Sequence, residues 1–156
     1  MGYAATDARG SQFFQDYSVN IMCDGAHGAP LIPWPNLLGD GRYRFDGTDY
    51  QVALTEPDKQ NAIHGLLRWQ SWSVREHAAN RLTMGVRLHP SPGYPFGLDV
   101  RIDYRLGRDG LTATTIATTP ATGRAPTAVD STPICRPATT PSSTTATYSY
   151  PPPPAS

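Results

Sequence analysis

The sequence predicts an all-β fold: an antiparallel meander that forms part of a β-sandwich. Three observations lead to this prediction. Apolar and polar residues alternate over several segments, an Asp-Gly pair separates two of these segments, and no segment shows sustained helical periodicity. Alternation with a period of two places one set of side chains in a core and the other in water. We therefore expect a sheet with one buried and one solvated face.

The first predicted hairpin surrounds Asp46-Gly47. The segments RYRF and DYQVAL flank this dipeptide, and Asp-Gly tolerates the positive φ angles that tight hairpin turns require. On either side, residues 23–41 and 55–70 show no regular alternation. We expect both of these stretches to be irregular loops.

Longer alternating segments follow the second loop. SWSVRE and RLTMGVRL come first, and LDVRIDYRL has the most regular pattern, with apolar residues and charged residues at every second position. Its inward set is Leu98, Val100, Ile102, Tyr104 and Leu106. A GRDG turn then leads into LTATTIAT. Successive strands joined by short turns predict the meander, and its last strand is expected to leave an open edge or to lack a second, covering sheet.

Residues 120–156 differ in composition from the rest of the chain. They hold nine of the 16 prolines and three charged residues, Arg124, Asp130 and Arg136. Proline removes backbone donors, and so few apolar groups cannot offset the entropy lost on ordering. The segment is therefore predicted to be a disordered or polyproline-like tail rich in proline, threonine and alanine.

Charge and apolar runs limit the classes of partner and the location. Thirteen basic residues balance 13 acidic ones, which argues against nucleic acid or an anionic membrane as a partner. No apolar run approaches the roughly 20 residues of a membrane span, and the N-terminus lacks the apolar stretch of a signal peptide. These features favour a cytoplasmic protein.

The cysteines give no sign of a metal or cofactor. Cys23 and Cys135 are far apart and match no metal-binding spacing. We interpret them as two free thiols, and no glycine-rich loop before a helix indicates a nucleotide. The sequence therefore predicts no cofactor.

Four short motifs follow one another along residues 21–118. They are PWPN at Pro33–Asn36, GRYRFDG at Gly41–Gly47, NAIHG at Asn61–Gly65 and YPF at Tyr94–Phe96. In this order and spacing they resemble the aldose 1-epimerases, the galactose mutarotase-like family. Residues 1–20 match this family less well, and residues 120–156 do not match it.

The resemblance implies a β-supersandwich that binds a hexose in a polar groove and interconverts its α and β anomers. A base removes the proton of the anomeric hydroxyl while an acid protonates the ring oxygen, and such transfers need two positioned groups of suitable pKa. In the family, the base is a glutamate late in the chain. The usual acid is the histidine of a His-Pro-Tyr motif just after the strand that LTATTIAT resembles, and a late aspartate binds sugar hydroxyls.

The resemblance assigns His64 as a candidate catalytic and sugar-binding residue and Asn36 as a sugar-binding residue. The family's arginine position is occupied by Leu37, which offers no donors. Trp34 and Trp69 are candidates for stacking on a sugar ring, because they lie in loops near these two residues. The alternative for any such histidine or tryptophan is ordinary core packing.

Arg68 leaves two interpretations open. HGLLR also resembles the His-Gly-x-x-Arg stretch of the hexose-6-phosphate epimerases, in which an arginine can meet the phosphate through its planar fork. The other interpretation is an arginine on a solvated strand edge. Arg68 is retained as a candidate substrate-binding residue.

The acid and base of the family have no counterpart at the expected places. No His-Pro-Tyr follows Thr119, and Glu56 and Glu76 lie in the wrong elements to match the late glutamate. We therefore expect residues 21–119 to be a partial epimerase-like β-domain, truncated or changed in reading frame near residue 119, with weakened or absent activity. The alternatives are a non-catalytic carbohydrate-binding remnant and a hexose-6-phosphate epimerase-like protein.

Overall fold

The computed structural model describes residues 20–21, 28–120, 124–131, 138–139 and 143–150. Within them the chain is almost entirely β, with a single 3₁₀ turn at Pro57–Lys59. The strands, in chain order, are β1 (Pro30–Leu31), β2 (Leu37–Gly39), β3 (Arg42–Phe45), β4 (Thr48–Gln51), β5 (Asn61–Ile63), β6 (Ser73–Ala78), β7 (Arg81–Leu88), β8 (Leu98–Gly107), β9 (Gly110–Thr118), β10 (Asp130–Ser131), β11 (Ala138–Thr139) and β12 (Ser143–Tyr150). All the strand pairs are antiparallel. The predicted all-β fold is confirmed.

The largest sheet has six strands in the order β11-β12-β9-β8-β7-β6. Its centre is the predicted meander: β7 pairs with β8 from Arg81↔Arg105 to Leu88↔Leu98, and β8 pairs with β9 as far as Gly107↔Gly110. Alternation places Val100 and Ile102 in the core and leaves Arg101 exposed. The sequence pattern therefore predicted the strands and the buried face around Val100 and Ile102, whereas Leu106, which was also predicted to face inward, is 56% exposed.

The Asp-Gly hairpin also forms as predicted. Tyr43 lies opposite Tyr50 in the β3–β4 pair. Asp46 and Gly47 have φ angles of 45° and 80°, as a tight hairpin turn of the primed type requires. The hairpin therefore forms through its local turn chemistry.

The two stretches predicted as irregular loops contain more structure than expected. β1, β2 and β5 lie within residues 28–41 and 55–70, and β2 pairs with β5 across the intervening hairpin. Strands of two or three residues are too short to show a period in the sequence. Their pairing depends on contacts between segments that are distant in the chain, and residues 23–27 of the first stretch lie outside the described residues.

The core lies between the apolar face of the large sheet and a loop module formed by residues 28–67. Both parts contribute side chains that are almost completely buried. The core cluster consists of Ile32, Trp34, Val52, Ala62, Leu67, Val86, Leu88, Tyr94, Leu98, Val100, Ala113, Ala117 and Val129. The loop module therefore covers part of the sheet face that the sequence alone left without a partner.

Some of residues 120–156 belong to the described part, and these residues contact the rest of the chain. The Ala128 N–H donates to the Pro33 carbonyl at 2.7 Å, and the Tyr94 hydroxyl donates to the Pro126 carbonyl at 3.0 Å. β12 pairs with β9 from Leu111 to Thr118, so β9 does not form the predicted open edge. The threonine- and tyrosine-rich segment STTATYSY has high β propensity, and β9 offers an unpaired row of backbone groups. The other residues of this segment lie outside the described part.

Within the described ranges, no helix is long and apolar enough to cross a membrane.

Candidate functional site

Asn36 and His64 lie side by side. The His64 backbone N–H donates to the Asn36 carbonyl at 2.7 Å. Both residues have positive φ angles, 56° and 63°, which non-glycine residues adopt uncommonly and which often mark functional sites. The structure therefore brings together the two residues that the sequence assigned to one sugar site.

Gly65 fixes the position of His64 against Ile32, the residue that follows β1. It forms a parallel bridge with Ile32, and its φ angle is 71°. A Cβ at this position would collide with the Ile32 backbone, which leaves room only for glycine. The Leu66 N–H donates to the same Ile32 carbonyl at 2.7 Å. These contacts explain why glycine follows the histidine.

Leu37 lies at the open side of the site. It starts β2 next to Asn36, pairs with Ile63 of β5, and is 50% exposed. Leu37, which stands at the position of the family's arginine, therefore lies opposite Ile63, the residue that precedes His64. An exposed leucine contributes apolar surface at this place and no hydrogen-bond donor.

The His64 imidazole is partly desolvated. Its Nδ1 is buried and has no hydrogen-bond partner among the described residues. Burial lowers the pKa of His64 below its ordinary value of 6.5; the Arg68 charge lowers it further, and Glu56 opposes the shift. The ring is therefore neutral at pH 7, with one nitrogen able to donate and the other able to accept a hydrogen bond.

Arg68 and Trp69 form a cation–π pair beside His64. The Arg68 guanidinium carbon lies 4.6 Å from the centre of the Trp69 ring. Trp69 is 53% exposed, so its ring is accessible to a ligand. Arg68 is half-buried, and its effect on the pKa of His64 places the two charges within electrostatic reach. The solvated-edge interpretation of Arg68 therefore understates its contacts.

Trp34 lies in the core. It is 9% exposed, its ring centre is 6.5 Å from that of Tyr94, and its Nε1 donates to the Ala62 carbonyl at 3.4 Å. Its ring packs in the core cluster beneath the surface of the loop module. This position corrects the expectation that Trp34 presents an open stacking surface.

Glu56 is the residue of this region that sequence reasoning passed over. The 3₁₀ turn at 57–59 folds the chain back, and Glu56 bridges to Asn61 at the start of β5. Its carboxylate pairs with Lys59 at 2.9 Å and raises the pKa of His64 against the larger opposing effects. The Pro-Asp turn signal after Glu56 was the feature that could have indicated this return of the chain.

A metal centre is not formed by this part of the chain. No group of three or more histidine, cysteine or acidic side chains lies close enough to hold a metal ion among the residues that the structure describes. Cys23 and Cys135 lie outside those residues. The described site therefore consists of an amide, an imidazole, a guanidinium and an exposed indole.

Comparisons with solved structures identify the fold. A GalM/aldose epimerase homologue from C. elegans superimposes with a TM-score of 0.64 at 19% identity, over 78% of this chain and 40% of that one. A galactose mutarotase-like protein from Clostridium acetobutylicum gives 0.59 at 20% identity, over 65% and 32%. A galactose mutarotase related enzyme from Lactobacillus acidophilus gives 0.56 at 19% identity, over 74% and 36%. The fold is therefore galactose mutarotase-like.

Sequence comparison gives the family. The uncharacterized protein YihR of Escherichia coli (strain K12) is 44% identical over 79 residues, which are 51% of this chain and 26% of that protein. The chain thus spans about a quarter of this curated relative and at most 40% of the solved structures above. The profile described as Aldose 1-epimerase matches residues 13–132, a longer stretch than the 21–118 over which the motifs extend. The chain belongs to the aldose 1-epimerase family.

Proposed function

We propose that this chain carries the sugar-binding part of an aldose 1-epimerase that interconverts the α and β anomers of a hexose. The observation that carries the proposal is the direct contact of Asn36 with His64, with the exposed Trp69 nearby in the chain. A sugar ring has polar edges and apolar faces, and such a site offers hydrogen-bonding groups together with an aromatic surface. Membership of the family supports the same assignment.

His64 is the proposed catalytic group of the described region. A neutral imidazole can accept a proton from a sugar hydroxyl, and the imidazolium that results can give a proton back to the ring oxygen. Its lowered pKa keeps it neutral at pH 7, and the Asn36 amide supplies hydrogen bonds that hold the sugar. A reaction that moves one proton off and another proton on still needs a second positioned group.

A change of reading frame near Val129 would account for the lack of the family's His-Pro-Tyr motif in the sequence. Asp130–Cys135 read DSTPIC, with codons of the forms GAY, TCN, ACN, CCN, ATH and TGY. The same bases can be read in a frame that starts one nucleotide earlier, at the last nucleotide of the Val129 codon. In that frame, one allowed choice of the variable bases gives the codons GGA TTC CAC CCC TAT CTG. With this choice of bases the shifted frame would read Gly-Phe-His-Pro-Tyr-Leu, which contains the expected motif. We therefore place a change of reading frame near Val129, later than the residue 119 first expected.

Determination of the coding DNA tests the frame change directly. We expect the bases after the Val129 codon to spell a histidine, a proline and a tyrosine codon in the earlier frame. Any other bases at these positions would contradict the frame change without touching the assignment of the sugar site. The family match that ends at residue 132 supports a boundary in this region.

Polarimetry and fluorescence test the sugar site. We expect glucose or galactose to change the fluorescence of Trp69 in the present chain, and the change to be lost in His64→Ala. Fresh α-glucose should mutarotate in the presence of this chain at a rate close to that in buffer, and faster with a chain whose frame is restored after Val129. No sugar-dependent fluorescence in either chain would refute the site.

A second candidate function is recognition of a hexose 6-phosphate. The half-buried Arg68 beside His64 favours it, because a guanidinium binds phosphate through two parallel hydrogen bonds. If phosphate is recognised, glucose 6-phosphate should bind more tightly than glucose, and Arg68→Gln should abolish the difference. Equal affinities would leave the free hexose as the substrate class.

A further inference from the structure

The solvated face of the large sheet contains a hollow centred on Gly85. Gly85 lies on β7, opposite Ser73 of β6 on one side and Arg101 of β8 on the other. Cross-strand partners project from the same face of a sheet. Since glycine has no side chain, the face is lowered at this point. The hollow measures about 300 Å³. Its side-chain walls are Arg75, Asp99, Arg101, Ile116 and Thr118.

Arg75 is directed into this hollow by an irregularity of the edge strand. The β6–β7 register shifts between Val74 and Glu76, so Arg75 is the extra residue of a β-bulge. Bulges re-aim the side chain they carry. The Arg75 side chain lies across Gly85 so closely that a Cβ there would be 2.8 Å from Nε and 3.2 Å from Cγ. The absence of a side chain at Gly85 is thus what accommodates the arginine.

The charges at the hollow leave one cation in excess. Arg101 pairs with Asp103 at 3.0 Å, and the hollow's carboxylate, Asp99, pairs with Arg87 at 3.7 Å. Arg75 has no ion pair among the described residues. An unpaired guanidinium over a concave surface attracts an anion, and its planar fork suits two oxygens of one group.

We propose that the Gly85 hollow binds a small oxyanion, a carboxylate or phosphate group, through Arg75. Arg101 adds positive potential from the opposite wall, and Ile116 gives an apolar contact for the body that carries the anionic group. The residues that line the hollow differ from those of the Asn36–His64 site and lie on different strands. The proposal therefore does not depend on the sugar-binding function.

Amide NMR titration of the full chain tests the proposal, with sodium phosphate, sodium glucuronate and glucose as probes at constant ionic strength. We expect saturable shifts at Gly85 and Arg101 with both anions and no shifts there with glucose. Arg75→Gln should lower the affinity for both anions about tenfold or more, because a charge-assisted hydrogen bond is lost. Phosphate binding without glucuronate binding would identify inorganic phosphate as the source of the oxyanion.

Two further variants make the test specific. Arg105→Gln removes a cation from the same face of β8, outside the hollow, and should leave the affinity within about twofold because the direct contact remains. Gly85→Ala displaces the Arg75 side chain and should weaken binding without changing the net charge. Equal losses in Arg75→Gln and Arg105→Gln, or no saturable shift with either anion, would overturn the proposal.

Discussion

The large sheet and the loop module reach their folded states in different ways. In β7–β9 every residue has a predictable partner and face, because a long antiparallel register repeats the same geometry. In the loop module, Asn36, Asp40, Gln60 and His64 all have positive φ angles, and their hydrogen bonds run between distant segments. The regular part therefore supplies the platform, and the irregular part carries the candidate site.

The loop module retains this geometry because the sheet holds it. Left-handed backbone at non-glycine residues costs on the order of 1 kcal/mol or more each and persists only where the surroundings over-determine it. Ile32, Ala62 and Leu67 of the module are 0% exposed, and their burial against the sheet offsets this cost. Packing against the sheet therefore holds the candidate site in one geometry.

The largest effect is expected from Gly65→Ala in the loop module. Alanine would combine an unfavourable positive φ with a collision against the Ile32 backbone, so we expect a loss of about 4 kcal/mol or more of unfolding free energy. Urea denaturation followed by tryptophan fluorescence measures it. Gly39→Ala is the matched control, since a Cβ there meets nothing within 4 Å. A loss below 1 kcal/mol for Gly65→Ala would show that the module is not fixed at this point.

An intermediate effect is expected from Leu98→Ala in the sheet. Leu98, at the start of β8, is 1% exposed, whereas Leu106, near the end of the same strand, is 56% exposed. We expect about 3 kcal/mol of destabilisation for Leu98→Ala and less than about 0.5 kcal/mol for Leu106→Ala. Urea melts of both variants give the difference. Equal losses of unfolding free energy would mean that other residues also pack over the Leu106 end of the sheet.

The smallest effect concerns the electrostatics of His64. Arg68→Gln should raise the pKa of His64 and Glu56→Gln should lower it, because these charges act on it in opposite directions. Titration of the imidazole by NMR measures both shifts, with Arg108→Gln in the β8–β9 turn as control. Shifts of the same sign in the two variants would contradict the arrangement of the three side chains.

The same pKa gives a dependence of stability on pH. A folded pKa below the ordinary value of 6.5 means that the unfolded chain takes up the proton first as the pH falls. The contribution of His64 to stability is therefore fully present above pH 6.5 and is lost as the pH falls through the folded pKa. His64→Gln should remove this slope between pH 7 and 5, whereas His89→Gln in an exposed turn should preserve it. A slope unchanged in His64→Gln would assign it to another group.

The predictable part of the molecule follows from local patterns. LDVRIDYRL predicted the face that Val100 and Ile102 bury, and Asp46-Gly47 predicted the hairpin, because side-chain alternation and turn chemistry act over a few residues. The pairing of β2 with β5 and the return of Glu56 were not predicted, because neither leaves a period in the sequence. Trp34 was placed in an open loop, and only the packing against Tyr94 shows that it is buried.

Patterns along the chain predict the β-meander and the hairpin, and four ordered motifs predict the family. Each of these depends on residues that are close together in the chain or on motif order. Three contacts are visible only in the folded chain: Asn36 touches His64, Arg68 and Glu56 act oppositely on one imidazole, and Arg75 lies over Gly85. These contacts depend on how separate strands pack, and packing is set by the whole core and not by any one segment.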